Sequence, residues 1–282
     1  MNTLPREKQA AILRAITEGN SIRAAARMAN VSKDTVVKLV VSVGEMCELY
    51  QDHKLRNLPC KRIEADEIWA FTGAKQKNAG PGQGDCWTYT ALDAETKLTV
   101  CWLVGQRTQE NAITFMKDLA SRLANRVQLT TDGHTMYLPA VAEAFHWDVD
   151  FAQLIKTYGK DPNAPVGKYS PAICTGAEKT WVMGKPDWSK VSTSYVERAN
   201  LDLRMRSRRF TRLSNAFSKK IDNHAFAVAL HFMVTNFLRP HGTLTKANGG
   251  VHTTPAMASG VTDRVWKMED VLSLLDSDRM IG

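Results

Sequence analysis

The 282-residue chain has no run of roughly 18–20 uninterrupted apolar residues, the length a membrane span needs. Its most apolar stretch, Ala225 to Leu238, is broken by His231, Thr235 and Asn236. The opening residues, Met1-Asn2-Thr3-Leu4-Pro5-Arg6, lack an apolar signal core, so no secretory leader is read there. Cysteine is sparse and scattered: Cys47, Cys60, Cys86, Cys101 and Cys174 form no pair two residues apart and no zinc spacing with histidine. Reduced, mostly buried thiols in a cytoplasmic protein without a membrane partner are expected. The chain also lacks the poverty of apolar residues that marks disorder, since 44% of it is hydrophobic and 23% charged. At about 150 residues per domain, this length suits two domains, or one with appendages.

What is present in excess is positive charge. Lys and Arg total 37 against 29 acids, a net charge of +8. Residues 198 to 220 hold eight basic side chains and one acid, Asp202, so this segment alone carries nearly the whole excess. Such concentration points to a polyanionic partner rather than to general solubility.

The first fifty residues predict helices. Ala10, Ile12, Leu13 and Ile16 fit a first helix that Gly19 ends, and Asn20 or Ser21 can cap a second through Ala25, Ala26 and Met28. After the turn Ala29-Asn30-Val31, Ser32 can cap a third helix. This is the pattern of a helix-turn-helix, whose second helix enters the major groove by its N-terminal end. Ser32, Lys33, Thr35 and Lys38 would then face double-stranded DNA, with Arg23 and Arg27 on phosphates. The alternative is an alanine-rich helical hairpin with a solvated polar face.

Residues 51–61 read as a linker. Beyond it, three strand-like stretches, a helix at Thr108–Ala124, a short strand, a short helix and another strand precede late helices from Ser194 to about Leu238. This order predicts an α/β fold with a mixed sheet flanked by helices, compatible with a ribonuclease H-like domain over 62–239. Residues 157–191, rich in proline and glycine, read as a loop insertion with a hairpin at Ala172 to Val182. Residues 240–282 read as a tail with one short helix.

Three acids stand in suggestive places. Asp66 lies in the first strand, Asp132 directly after the fourth, and Glu197 in the first turn of the late helix. Convergent carboxylates suit magnesium, a hard ion that prefers oxygen and retains water. Each acid also has a bland explanation. Glu67 stands beside Asp66, Asp132-Gly133 is an ordinary turn signal, and Ser194-Tyr195-Val196-Glu197 matches a capping box with Ser194 as cap. Asn200, Leu201, Arg204 and Arg208 follow Glu197 at helical spacing, which puts phosphate-binding groups beside a metal ligand.

The string Glu197-Arg198-Ala199-Asn200-Leu201-Asp202-Leu203-Arg204-Met205-Arg206, followed by Phe217-Ser218-Lys219 and His224, resembles the catalytic-Glu helix of the insertion sequence 1 family of transposases. Asp66-Glu67-Ile68-Trp69 resembles that family's first acidic motif, and Thr131-Asp132 with Tyr137 its second. The resemblance covers roughly residues 60 to 238. It implies a DDE transposase that cuts DNA at element ends and joins the 3′-hydroxyls to target DNA. Asp66, Asp132 and Glu197 carry over as the ligands of Mg²⁺, with Mn²⁺ substituting and no organic cofactor. Arg198, Asn200 and Arg204 match the string and are assigned here to phosphate or strand positioning. His134 and Tyr137 are candidates for contacting the flanking strand. The cysteine-rich segment that some members carry before the helix-turn-helix is missing. Joining two ends implies a homo-oligomer on DNA. Two other functions fit the same residues: a nuclease without strand transfer, and a DNA-binding regulator whose acids are structural.

Overall fold

The computed structural model describes residues 4–159, 173–211 and 214–277. The chain starts with three helices, α1 (Arg6–Thr17), α2 (Ile22–Met28) and α3 (Lys33–Lys54). Their boundaries follow from local chemistry. Gly19, at φ 85°, turns the chain after α1. The Ser21 hydroxyl accepts the Ala24 N–H at 3.1 Å, and the Ser32 hydroxyl accepts the Thr35 N–H at 3.1 Å. Buried Ala25, Ala26 and Val36 fill the space between α2 and α3.

The sheet has six strands: β1 (Arg62–Thr72), β2 (Gly84–Asp93), β3 (Thr99–Gly105), β4 (Gln128–Asp132), β5 (Asp150–Gly159) and β6 (Ile173–Met183). Their order is β3-β2-β1-β4-β5-β6. β1, β2 and β3 form an antiparallel meander, β1 pairs parallel with β4 and β4 with β5, and β6 closes the edge antiparallel to β5. The parallel pairs need crossovers, which α4 (Gln109–Arg122) and α5 (Tyr137–Phe145) supply. α6 (Ser194–Arg206) and α7 (Ile221–Met233) follow, then α8 (Gly242–Ala247), α9 (Pro255–Ala258) and α10 (Met268–Ser277). The result is a mixed sheet flanked by helices, consistent with a ribonuclease H-like fold.

Three expected boundaries are corrected. The supposed linker at 51–61 begins inside α3, and Gln51, Leu55, Leu58 and Cys60 are buried. Much of the supposed loop insertion at 157–191 is strand: β6 runs along β5 from Gly159↔Ile173 to Phe151↔Met183, so the stretch expected to form a hairpin at Ala172 to Val182 is, from Ile173 on, one strand paired with β5. Residues 160–172 of that segment lie outside the described residues. The supposed tail buries Met268, Val271 and Leu272 of α10 in the core that also holds α1 and α3. At 51–61 and in α10, apolar side chains spaced too sparsely to show a period still find a partner far along the chain, whereas β6 is held by its backbone ladder to β5.

The N-terminal helices share one hydrophobic core with the sheet. α3 crosses α7 at Gly44, where a Cβ would stand 2.3 Å from the Phe226 carbonyl oxygen. Gly44→Ala should therefore force the two helices apart. That strain outweighs the roughly 1 kcal/mol of helix propensity gained, and a net loss of about 2 kcal/mol is expected. A melting temperature lower by about 4–8 °C is the check; an unchanged value would mean the crossing yields freely.

Cys47, Cys60, Cys86 and Cys101 are buried and unpaired, as the composition suggested, and burial pushes their thiols up. Cys174 is exposed. No helix among the described residues is long and apolar enough to cross a membrane.

Candidate active site

Strand alternation and sheet register assemble a cleft of acids. Glu64 and Asp66, two residues apart on β1, point to the same face, where α6 lies. The Glu64 carboxylate accepts the N–H groups of Tyr195 at 2.7 Å and Val196 at 3.1 Å, holding two of the donors that every helix start leaves open. The Asp66 carboxylate accepts the Asn200 side-chain N–H at 2.9 Å. Two acids of one strand thus clamp the first two turns of α6.

The parallel pairing of β1 with β4 sets Ala65 opposite Thr131, so the following residues, Asp66 and Asp132, emerge side by side. Asp132 Oδ1 accepts the His134 N–H at 3.1 Å. Glu67 completes the group: ligand oxygens of Asp66, Glu67 and Asp132 lie within 4.8 Å of one another. Glu67 is buried, and both its oxygens are engaged. Arg107 donates to Oε1 from Nε at 2.7 Å, and the Tyr137 hydroxyl donates to Oε2 at 2.7 Å. Arg107 also stands 3.9 Å from Asp132.

Glu197 faces the same cleft, a cavity of about 490 Å³ lined also by Asp66, Glu67, Asp132, Lys156 and Arg204. Its carboxylate is held by Lys156 of β5 and by the Thr193 hydroxyl at 2.6 Å. It is therefore outside the cluster that the other three acids form.

Crowding shows in the proton affinities. Asp66 is pushed up to about 7, first by burial and then by Glu67 and Asp132, against the pull of Asn200. Asp132 is pushed up to about 6, again first by burial and then by Glu67, while the His134 N–H and Arg107 oppose. Carboxylates buried beside one another repel unless protonated or shared by a cation. The donor set, all carboxylate oxygen at an open cleft, fits a hard divalent ion such as Mg²⁺.

Several sequence-based expectations change here. Ser194 is not the cap of α6; Thr193 precedes the helix and its hydroxyl bonds Glu197 instead. Arg208 leaves the Glu197 face, because α6 ends at Arg206 and Arg208 lies in a following 3₁₀ turn. Tyr137 is buried against Glu67 and is not placed to touch a flanking strand. Asn200, Leu201 and Arg204 do share the cleft with Glu197. Arg198 is exposed on α6. At the other end of the chain, Arg23, Arg27, Ser32, Lys33 and Lys38 are exposed around the start of α3, and Thr35 is half-buried.

Sequence reasoning set Glu67 aside and passed over Glu64, Lys156 and Arg107. The Asp-Glu doublet was the only trace of Glu67, since its partners lie 40 and 70 residues away. Glu64→Ala should leave the Tyr195 and Val196 N–H groups unpaired, at about 2 kcal/mol of stability. Glu64→Gln, which keeps an acceptor oxygen, should lose clearly less. Chemical denaturation measures both, and equal losses would remove Glu64 as the anchor of α6.

No protein-family model and no curated protein matches the chain. Among solved structures, the cryo-electron microscopy structure of a piggyBac transposase synaptic complex with hairpin DNA is similar at 11% identity, over 100% of this chain and 74% of that one. The TM-score is 0.40, at which the likeness decides nothing about chemistry.

Proposed function

We propose that the chain is a DDE-type transposase that nicks DNA at the ends of a mobile element and joins the freed 3′-hydroxyls to target DNA. The observation that carries this is the meeting of Asp66 and Asp132, from the paired strands β1 and β4, opposite Glu197 on α6 across one open cleft. Strand order, the acids' positions and the Glu197-to-Arg206 string support a ribonuclease H-like catalytic domain of the insertion sequence 1 type.

Asp66 and Asp132 would hold Mg²⁺, with Glu197 as the third ligand once Lys156 releases it. The bound ion supplies Lewis-acid activation of a water or 3′-hydroxyl and stabilises the leaving oxygen. The chain's own groups do the positioning. Asn200 orients the Asp66 carboxylate, the His134 N–H orients Asp132, and Arg107 and Tyr137 occupy both oxygens of Glu67. Lys156, released from Glu197, and Arg204 border the cleft where a phosphodiester would lie. The exposed polar residues at the start of α3, from Ser32 to Lys38, with Arg23 and Arg27, form the end-recognition surface of a helix-turn-helix. A homodimer holding two ends completes the scheme.

The test is a cleavage and strand-transfer assay on labelled DNA bearing the element's ends, in Mg²⁺, Mn²⁺ or EDTA. Metal-dependent nicking and joined products, both lost in Asp132→Asn, are expected. Nicking without joining would make the protein a nuclease, and salt-sensitive binding without any cleavage would make it a regulator.

A further inference from the structure

A second groove, of about 720 Å³, separates the N-terminal helices from the connection between α6 and α7. One wall carries Arg23, Lys33 and the acid Asp34, 3.6 Å from Lys33, the other Arg208, Arg209 and Lys219. Among the described residues, Arg23, Arg208, Arg209 and Lys219 make no ion pair with an acid. Neighbouring Arg206, by contrast, is engaged by Glu18 at 2.8 Å and Asp202 at 2.7 Å.

Arg209 is the unusual member. Its side chain is half-buried in dense surroundings, and burial pushes its guanidinium down to about 10. It donates to the Ser218 hydroxyl at 2.7 Å, and that hydroxyl shares a hydrogen bond of 3.0 Å with His224 Nδ1, in which either atom can donate. Burial, with nearby Arg209, pushes His224 down to about 3, so its imidazole is neutral and adds no charge beside Arg209. The guanidinium is aimed and fixed, yet no negative group answers it. A half-buried charge that no acid among the described residues offsets costs some desolvation, so folding alone gives no reason to keep it.

We propose that this groove is a phosphate-backbone site for double-stranded DNA, with Arg209 as its fixed anchor and Arg208, Lys219, Arg23 and Lys33 as its rim. The inference rests on the DNA-processing function proposed above and adds where one duplex lies. α6 joins the two sites: Glu197 lines the acid cleft, and Arg206, nine residues on, lines the groove. Nine residues of helix span about 14 Å, or about four base pairs at 3.4 Å each. Because α3 and α7 share a core, the N-terminal helices and the acid cleft grip the same duplex at a set spacing.

Binding of a fluorescent 30-base-pair duplex of arbitrary sequence, in EDTA and across a range of salt, tests the groove apart from catalysis. One released counterion is worth about tenfold in affinity between 0.1 and 1 M salt. Arg209→Gln should therefore bind about tenfold more weakly at 0.1 M, with a salt slope smaller by about one and a melting temperature unchanged or raised. The surface double variant Arg208→Ala/Lys219→Ala should reduce the slope by about two. If Arg209→Gln melts lower, the double variant decides: an unchanged slope overturns the proposal and a reduced one upholds it. Wild-type binding with unchanged affinity and slope in both variants refutes the groove but leaves the DNA function standing. No binding by wild type refutes both.

Discussion

Glu197→Gln should lower metal-dependent DNA cleavage roughly a thousandfold while leaving thermal stability almost unchanged; Glu67→Gln should do the reverse. Glu197 is half-buried at the rim of the cleft; a glutamine oxygen there can still accept from the Thr193 hydroxyl, and Lys156 keeps contact with water. Replacing its charge leaves no buried group stranded. If it is a metal ligand, its loss removes several kcal/mol of charge stabilisation, and each 1.36 kcal/mol is about tenfold in rate. Glu67 is different, because its side chain is 2% exposed and both its oxygens are engaged. A neutral amide there leaves Arg107 only the more distant Asp132, 3.9 Å away, as counter-charge, at a cost of about 2–3 kcal/mol. Cleavage rates and melting curves on the two variants separate these roles. Full activity in Glu197→Gln would return that residue to a structural tie with Thr193. A stable, inactive Glu67→Gln would make Glu67 the third ligand, as its distances to Asp66 and Asp132 allow.

The second large effect is on stability and runs against intuition: Asp66→Asn should stabilise the metal-free protein at pH 8 and not at pH 3. The Asp66 carboxyl is raised from 3.8 to about 7 in the fold. Between those values the folded state holds a proton that the unfolded chain has released, so stability falls as pH rises through the window. Above about 7 both states are ionised and the full penalty is present; below 3.8 both are protonated and it is gone. The interval corresponds to about 4 kcal/mol at 1.36 kcal/mol per pH unit, of which water on the open side of the cleft screens about half. A gain of about 2 kcal/mol for Asp66→Asn at pH 8 is expected, shrinking to nothing near pH 3. Mg²⁺ should raise the melting temperature of wild type at pH 8 and have little effect on Asp66→Asn. Equal gains from Mg²⁺ in both proteins would place the ion elsewhere. A variant less stable than wild type at pH 8 would mean that the Asn200 contact outweighs the repulsion.

Local chemistry was legible in the residues themselves. Ser21 and Ser32 cap their helices because a short side-chain oxygen before an apolar-periodic run has a helix N–H within reach. β1 was legible as a strand-like stretch holding Asp66, and Asp132, expected just past the fourth strand, is the last residue of β4; both reach the site because β1 and β4 are neighbours. The basic character of residues 198–220 was equally plain, because charge is a property of composition.

Tertiary structure decided what depends on contacts distant in sequence. Residues 51–61 were no linker and 240–282 no tail, since Leu55, Leu58 and α10 bury against elements whose identity their own spacing does not encode. Glu67 joined Asp66 and Asp132 because Arg107 and Tyr137 turn its carboxylate, and Glu197 sits apart because Lys156 reaches it from β5. Arg208 left the face of Glu197 because α6 stops at Arg206 and the chain turns into the second groove. Residue type and period settle which groups a segment offers and to which side, whereas the partner of a buried charge is settled only when separate elements pack, where leaving it unpaired is most costly.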